Sequence, residues 1–134
     1  MVELRAAIKD QAPELVVDSE ALLDAMLDEA SAEAHAAGKL NIILLTAPSR
    51  DWLSLVVGDE ETVVGYNYGH GDPPYYVSAG QARTDEPLMT AYVGLVHHTE
   101  LSRRWVIASR AGRQAAREFL ATGTRPESIE WTEA

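Results

Sequence analysis

The stretch GKLNIILLTAPSRDWLSLVVGDEETVVGYNYG, residues 38–69, decides the fold. Its first run, residues 40–46, is almost continuously apolar through Ile42, Ile43, Leu44 and Leu45, the pattern of a strand covered on both faces, and predicts a central strand. Pro48 and Ser49 mark a turn. Residues 52–57 and 62–68 then flank Gly58-Asp59-Glu60-Glu61, a glycine-containing hairpin connection with a strongly acidic tip.

On the N-terminal side, residues 2–8 and 14–17 have weak strand character and are separated by Pro13. Asp18 or Ser19 can cap a helix whose stripe of Leu22, Leu23, Met26, Leu27, Ala30 and Ala34 recurs at helical spacing, and Gly38 is a natural stop. The other face of this helix carries Glu20, Asp24 and Asp28 at four-residue steps. Like charges at that spacing repel, so the column suggests either a solvated face or a partner-binding one.

On the C-terminal side, Gly69-His70-Gly71-Asp72-Pro73-Pro74 reads as a loop and residues 75–78 as resumed strand. Residues 89–96 and 105–108 are two further strand candidates, joined by a polar stretch through His97, His98, Leu101, Arg103 and Arg104. Ser109 can cap a second helix with Ala111, Ala115, Ala116, Phe119 and Leu120 on its apolar face; Gly123 ends it and Pro126 prevents its resumption. Ile129 and Trp131, alternating with Glu130 and Thr132, predict a short terminal edge strand. Trp52, Trp105 and Trp131 each lie in or beside an apolar run and are expected in the core. Together these elements predict an α+β fold, one domain over residues 1–134, in which an antiparallel β-sheet packs against an N-terminal and a C-terminal helix.

With this layout in view, AAREFLATGTRPESIEW, residues 115–131, resembles the C-terminal signature of immunity protein family one, the bacterial polymorphic-toxin immunity proteins. The matching features are the aromatic-ended helix, the T-G-x-R-P turn of Thr122, Gly123, Arg125 and Pro126, and the aliphatic-x-Trp of Ile129 and Trp131. The central DWLSLVVGDEETVVGYNYG is also similar to that family, so the resemblance covers roughly residues 40–132. It implies a non-enzymatic protein that neutralises a secreted toxin by direct binding, with toxins of the nucleic-acid deaminase type as partners.

Composition narrows the possibilities independently. At 134 residues the chain can remove roughly two-thirds of its unfolded surface from water, enough for a self-sufficient core. Absence of cysteine excludes disulfides and thiolate metal sites. The start, MVELRAAIKD, has no basic segment leading into a long apolar run, and no stretch approaches a membrane span, so the expectation is a soluble cytoplasmic protein without membrane contact. The net charge of −10 belongs to residues 1–72, which hold fourteen acids against four bases; residues 73–134 hold seven of each. An acidic surface repels phosphate backbones and speeds encounter with a basic partner, so direct nucleic-acid binding is not expected, whereas a basic toxin acting on nucleic acid suits it.

His70 and Asp72 in their glycine-rich loop, with His97 and His98 elsewhere, are the most tempting set for acid–base chemistry or a metal. The chain lacks H-E-x-x-H, H-x-E with C-x-x-C, G-x-S-x-G and a phosphate loop, so no catalytic residue, metal or cofactor is assigned. Of the four clustered tyrosines, Tyr66 and Tyr68 are expected to pack, while one of Tyr75 and Tyr76 should be accessible. The expected partner-binding set is therefore Asp59, Glu60 and Glu61 at the hairpin tip with His70, Asp72, Tyr75 and Tyr76 in the loop, carboxylates meeting toxin arginines or lysines while a ring fills a pocket. The rival readings are a small enzyme or metal-binding protein using the His70/Asp72 loop, and a secretion adaptor or chaperone that binds clients through apolar surface.

Overall fold

The computed structural model describes residues 1–80 and 87–134. Two short strands, β1 (Leu4–Ala7) and β2 (Leu15–Val17), pair antiparallel and precede the first helix, α1 (Glu20–Ala36). The early helix is therefore not the N-terminal element of the fold. Leu4 and Ala6 alternate inward from β1 and are fully buried, which is why so short and weakly marked a segment is held in the sheet.

The chain continues through β3 (Asn41–Thr46), β4 (Trp52–Val57), β5 (Glu61–Thr62), β6 (Val64–Asn67), β7 (Tyr76–Ser78), β8 (Leu88–Val93), β9 (His97–Ser102), a 3₁₀ turn (Arg103–Trp105), β10 (Ile107–Ala108), α2 (Ser109–Thr122) and β11 (Trp131–Glu133). One sheet runs in the order β11-β7-β6-β4-β3-β1-β2, with β8 joined to β3 and β9 to β8; β5 and β10 form a separate ribbon. The sheet is antiparallel except where β8 lies parallel to β3, at Asn41–Tyr92 and Ile42–Val93.

Strand β3 is covered on both faces, as its unbroken apolar run predicts. Ile43 and Leu45 point into the larger core, with Leu53, Leu55 and Tyr66 from the sheet, Leu23 and Leu27 from α1, and Phe119 and Leu120 from α2. Ile42 points the other way, into a smaller core with Val56, Met89, Ala91 and Val106, with Leu44, Leu101 and Trp105 packed against it. The β8–β9 hairpin thus covers the second face. Buried Asn41 anchors its turn by donating to the Ile8 carbonyl and accepting from the Leu95 amide. The polar stretch read as a connection is largely strand β9. Exposed His97, His98 and Glu100 hide that identity, because pairing to β8 rather than side-chain burial fixes it.

In α1, Ser19 caps through its hydroxyl, which accepts from the Leu22 amide, and Leu23, Met26, Leu27, Ala30 and Ala34 are buried. The stripe is one residue narrower than predicted, since Leu22 is 50% exposed. The acidic column is relieved from within the molecule: Asp24 pairs with Arg117 at 3.0 Å and Asp28 with Arg113 at 2.6 Å, tying α1 to α2. Helix α2 is capped differently from the sequence expectation. Ala108 occupies the cap position, without a side-chain hydrogen bond, and the Ser109 amide donates to the Glu60 carbonyl at 2.8 Å, so the hairpin tip docks the helix start. Gly112 faces the sheet so closely that a Cβ there would lie 2.6 Å from Thr62 Cγ2, which explains a glycine inside this helix. Gly123 closes it in the left-handed conformation, φ +71°.

Candidate functional site

At one end of the sheet, residues from four segments converge on a groove. Asp51, immediately before β4, accepts from the Tyr66 hydroxyl at 2.7 Å and from the Gly69 amide at 2.8 Å. Tyr66 is fully buried and meets Tyr68, Phe119 and Trp131 edge-to-face. Burial, reinforced by the bond to Asp51, pushes its phenol well above the ordinary range. Tyr68 stacks on His70 at 5.5 Å and meets Tyr76 edge-on.

The groove's other wall is the turn after α2. The Glu118 carboxylate accepts from the amides of Glu127 at 2.6 Å and Ser128 at 3.1 Å, and the Trp131 indole donates to the Pro126 carbonyl at 2.7 Å. Partial burial tends to raise the Glu118 pKa, but the bonds from Glu127 and Ser128 together outweigh it and hold it below its ordinary value. This fixed turn carries Arg125 across Tyr76, guanidinium 4.1 Å from the ring centre. The open space between the walls is lined by Asp51, Tyr68, Arg125, Pro126, Ile129 and Trp131.

The expected loop residues adjoin this groove. His70 accepts from the Asp72 amide at 2.9 Å through Nδ1, so its ring caps the turn; the Asp72 carboxylate lies 4.0 Å away and both side chains are exposed. Tyr75 is 41% exposed with its hydroxyl on the Gly71 carbonyl, and Tyr76 is half-buried between Tyr68 and Arg125. Among the described residues no three histidine, aspartate or glutamate side chains are grouped to hold a metal ion.

The acidic residues lie elsewhere. Asp59 and Glu60 form the exposed turn after β4, while Glu61 begins β5 and pairs with Arg103 at 3.6 Å. Asp59 and Glu60, with Asp28 and His35 of α1, surround a shallow depression. Strand β4 separates this tip from the groove, and its five steps at about 3.3 Å put the two ends roughly 17 Å apart. The structure thus gathers His70, Asp72, Tyr75 and Tyr76 at one end and places Asp59, Glu60 and Glu61 at the other.

The sequence reading missed Asp51 and Glu118, whose roles are to hold two turns by long-range hydrogen bonds. Arg125, Pro126, Ile129 and Trp131 of the resemblance motif, and Tyr66 and Tyr68, expected to pack, share one groove. The tryptophans are less central than expected. Trp52, Trp105 and Trp131 are all half-buried, and the last two pack on the margins of the two cores.

Among the described residues no helix is long and apolar enough to cross a membrane. No curated protein matches the chain. A family model described as immunity protein Imm1 matches residues 11–133, taking in β2 and α1 as well as the central and C-terminal segments that carry the resemblance. With its signature turn, paired tyrosines and terminal tryptophan assembled in one place and the match spanning nearly the whole sequence, the chain belongs to the Imm1 family of immunity proteins.

Proposed function

We propose that this chain acts without catalysis, binding a cognate toxin domain in the cytoplasm of the producing cell and occluding its active site. The toxin is a basic protein acting on nucleic acid, which suits this chain's acidic surface, and most specifically a cytosine deaminase, a toxin of the nucleic-acid deaminase type that the resemblance implies. The observation that carries the reading is the family match over residues 11–133.

Two features support it. Net charge is −10, and Asp59 and Glu60 stand exposed, placed to attract a basic surface. At the other end, Tyr68, Tyr75, Tyr76 and Trp131 supply the rigid aromatic area in which binding energy concentrates. An interface of standard size covers about 800 Å² per partner, a patch roughly 30 Å across, so one toxin domain reaches both ends.

The test is to mix the purified chain with the toxin domain encoded beside its gene and follow complex formation and deamination of nucleic acid. One-to-one binding with loss of toxin activity is the expected result. An active toxin that forms no complex overturns the reading.

A further inference from the structure

Arg125 is an anomaly in this molecule. The protein is acidic, and Arg103, Arg113 and Arg117 pair with Glu61, Asp28 and Asp24; Arg50, Arg104 and Arg110 make no such pair among the described residues but are exposed, whereas Arg125 is half-buried. Among the described residues, no carboxylate comes within ion-pair distance of Arg125; its described contact is the face of Tyr76. The obvious acceptor across the groove, Asp51, is spent on the Tyr66 hydroxyl and the Gly69 amide. Glu118 is spent on the amides of Glu127 and Ser128, and the exposed Glu127 carboxylate, two positions on from Arg125 and lining the same groove, makes no ion pair with it.

The turn that carries the guanidinium is also held in place. Gly123 turns the chain, Glu118 grips residues 127 and 128, Trp131 grips Pro126, and Tyr76 supports the planar group from one side. A guanidinium lying over a ring keeps N–H groups available on its free side, and the fixed turn beneath it lowers the entropy lost when they are used. The complementary group is a carboxylate, which accepts two parallel N–H bonds, and the aromatic walls exclude water around such a pair.

We infer that the groove between Tyr68 and the turn at residues 124–131 receives an aspartate or glutamate side chain of the toxin, bound end-on by Arg125. This rests on the proposed function and adds to it. The acidic tip would govern how fast a basic partner arrives, whereas one acidic side chain in the groove would fix its register and hold it.

The experiment measures association and dissociation rates of the cognate toxin domain with the wild-type chain, Arg125→Lys and Arg125→Gln, alongside thermal unfolding of each. Dissociation at least tenfold faster for Arg125→Gln, a smaller increase for Arg125→Lys, and association rates within about threefold of wild type would support the inference. Arg125→Lys keeps the charge but loses the fork, so it separates a carboxylate clamp from general electrostatics. A wild-type complex whose dissociation changes less than twofold in both variants overturns the inference and leaves the proposed function standing. A wild-type chain that forms no complex overturns both. As a second readout, Arg125→Glu should bind a toxin in which one groove-facing Asp or Glu is replaced by Arg; failure of every such reversal tells against the carboxylate.

Discussion

At the groove end of the β4–β6 hairpin, two carboxylates are tied into the molecule, Asp51 holding Tyr66 and Gly69 and Glu118 holding the turn at residues 127–128, while Asp72 and Glu127 stay exposed. At the tip end, Asp59 caps only its own turn, the Glu60 side chain is exposed, and it is the backbone of Glu60 that docks α2. The same residue types thus do different work. Carboxylates that accept from neutral N–H and O–H groups keep their charge and stiffen a surface; free ones contribute little to stability and stand where an approaching molecule meets them first. A stiff aromatic surface governs how long a partner stays, and a free acidic one how quickly it arrives.

The largest expected effect is at the groove. Trp131→Ala removes packing against the larger core and Tyr66, and the hold on Pro126, and should lower unfolding stability by about 2–3 kcal/mol in urea titration. A loss below about 1 kcal/mol would mean that the turn stands without its tryptophan, and the contrast between the two ends would fail.

A smaller effect comes from Glu118. Its pKa is depressed in the folded state from 4.5, so its contribution is fully present above that value and disappears as pH falls through the folded pKa. Glu118→Gln should therefore be less stable than wild type at pH 7 and should flatten the stability curve between about pH 5 and pH 3. Parallel curves for the two proteins would show that the carboxylate charge does not hold the turn.

The smallest effect on stability belongs to the tip. Asp59→Lys combined with Glu60→Lys should change unfolding free energy by no more than about 0.5 kcal/mol. The same pair should slow toxin association about fivefold at low ionic strength, with the difference vanishing in roughly 0.5 M salt, while dissociation changes little. Unchanged association would sharpen the comparison in the other direction, leaving the groove as the whole of the recognition surface.

Much of the fold was legible because it rests on local patterns. The run at residues 40–46, the stripe from Leu23 to Ala34 and the Gly123-Pro126 stop each carry their meaning within a dozen residues. Strand β9 was not legible, since His97, His98 and Glu100 are exposed and only the β8 backbone makes them a strand. The cap of α2 was misread for a similar reason: the Ser109 amide is satisfied by Glu60, about fifty positions away.

The candidate site divides along the same line. Residue types showed that His70, Asp72, Tyr75 and Tyr76 share a loop, and that Asp59, Glu60 and Glu61 form an acidic run. The strand predicted over residues 62–68 already lies between the two sets, which puts them at opposite ends of a strand, as β4 and β6 do in the structure. The sequence alone determined an α+β chain with a double-covered central strand, an acidic N-terminal half and the signature of its family, all properties of neighbouring residues. Only the tertiary structure decided that the signature residues line one groove, that Arg117 and Arg113 pair with Asp24 and Asp28 of the acidic column of α1, and that Arg125 stands without a carboxylate partner among the described residues. Pairing between distant segments depends on where the folded chain brings them, and no local spacing encodes that.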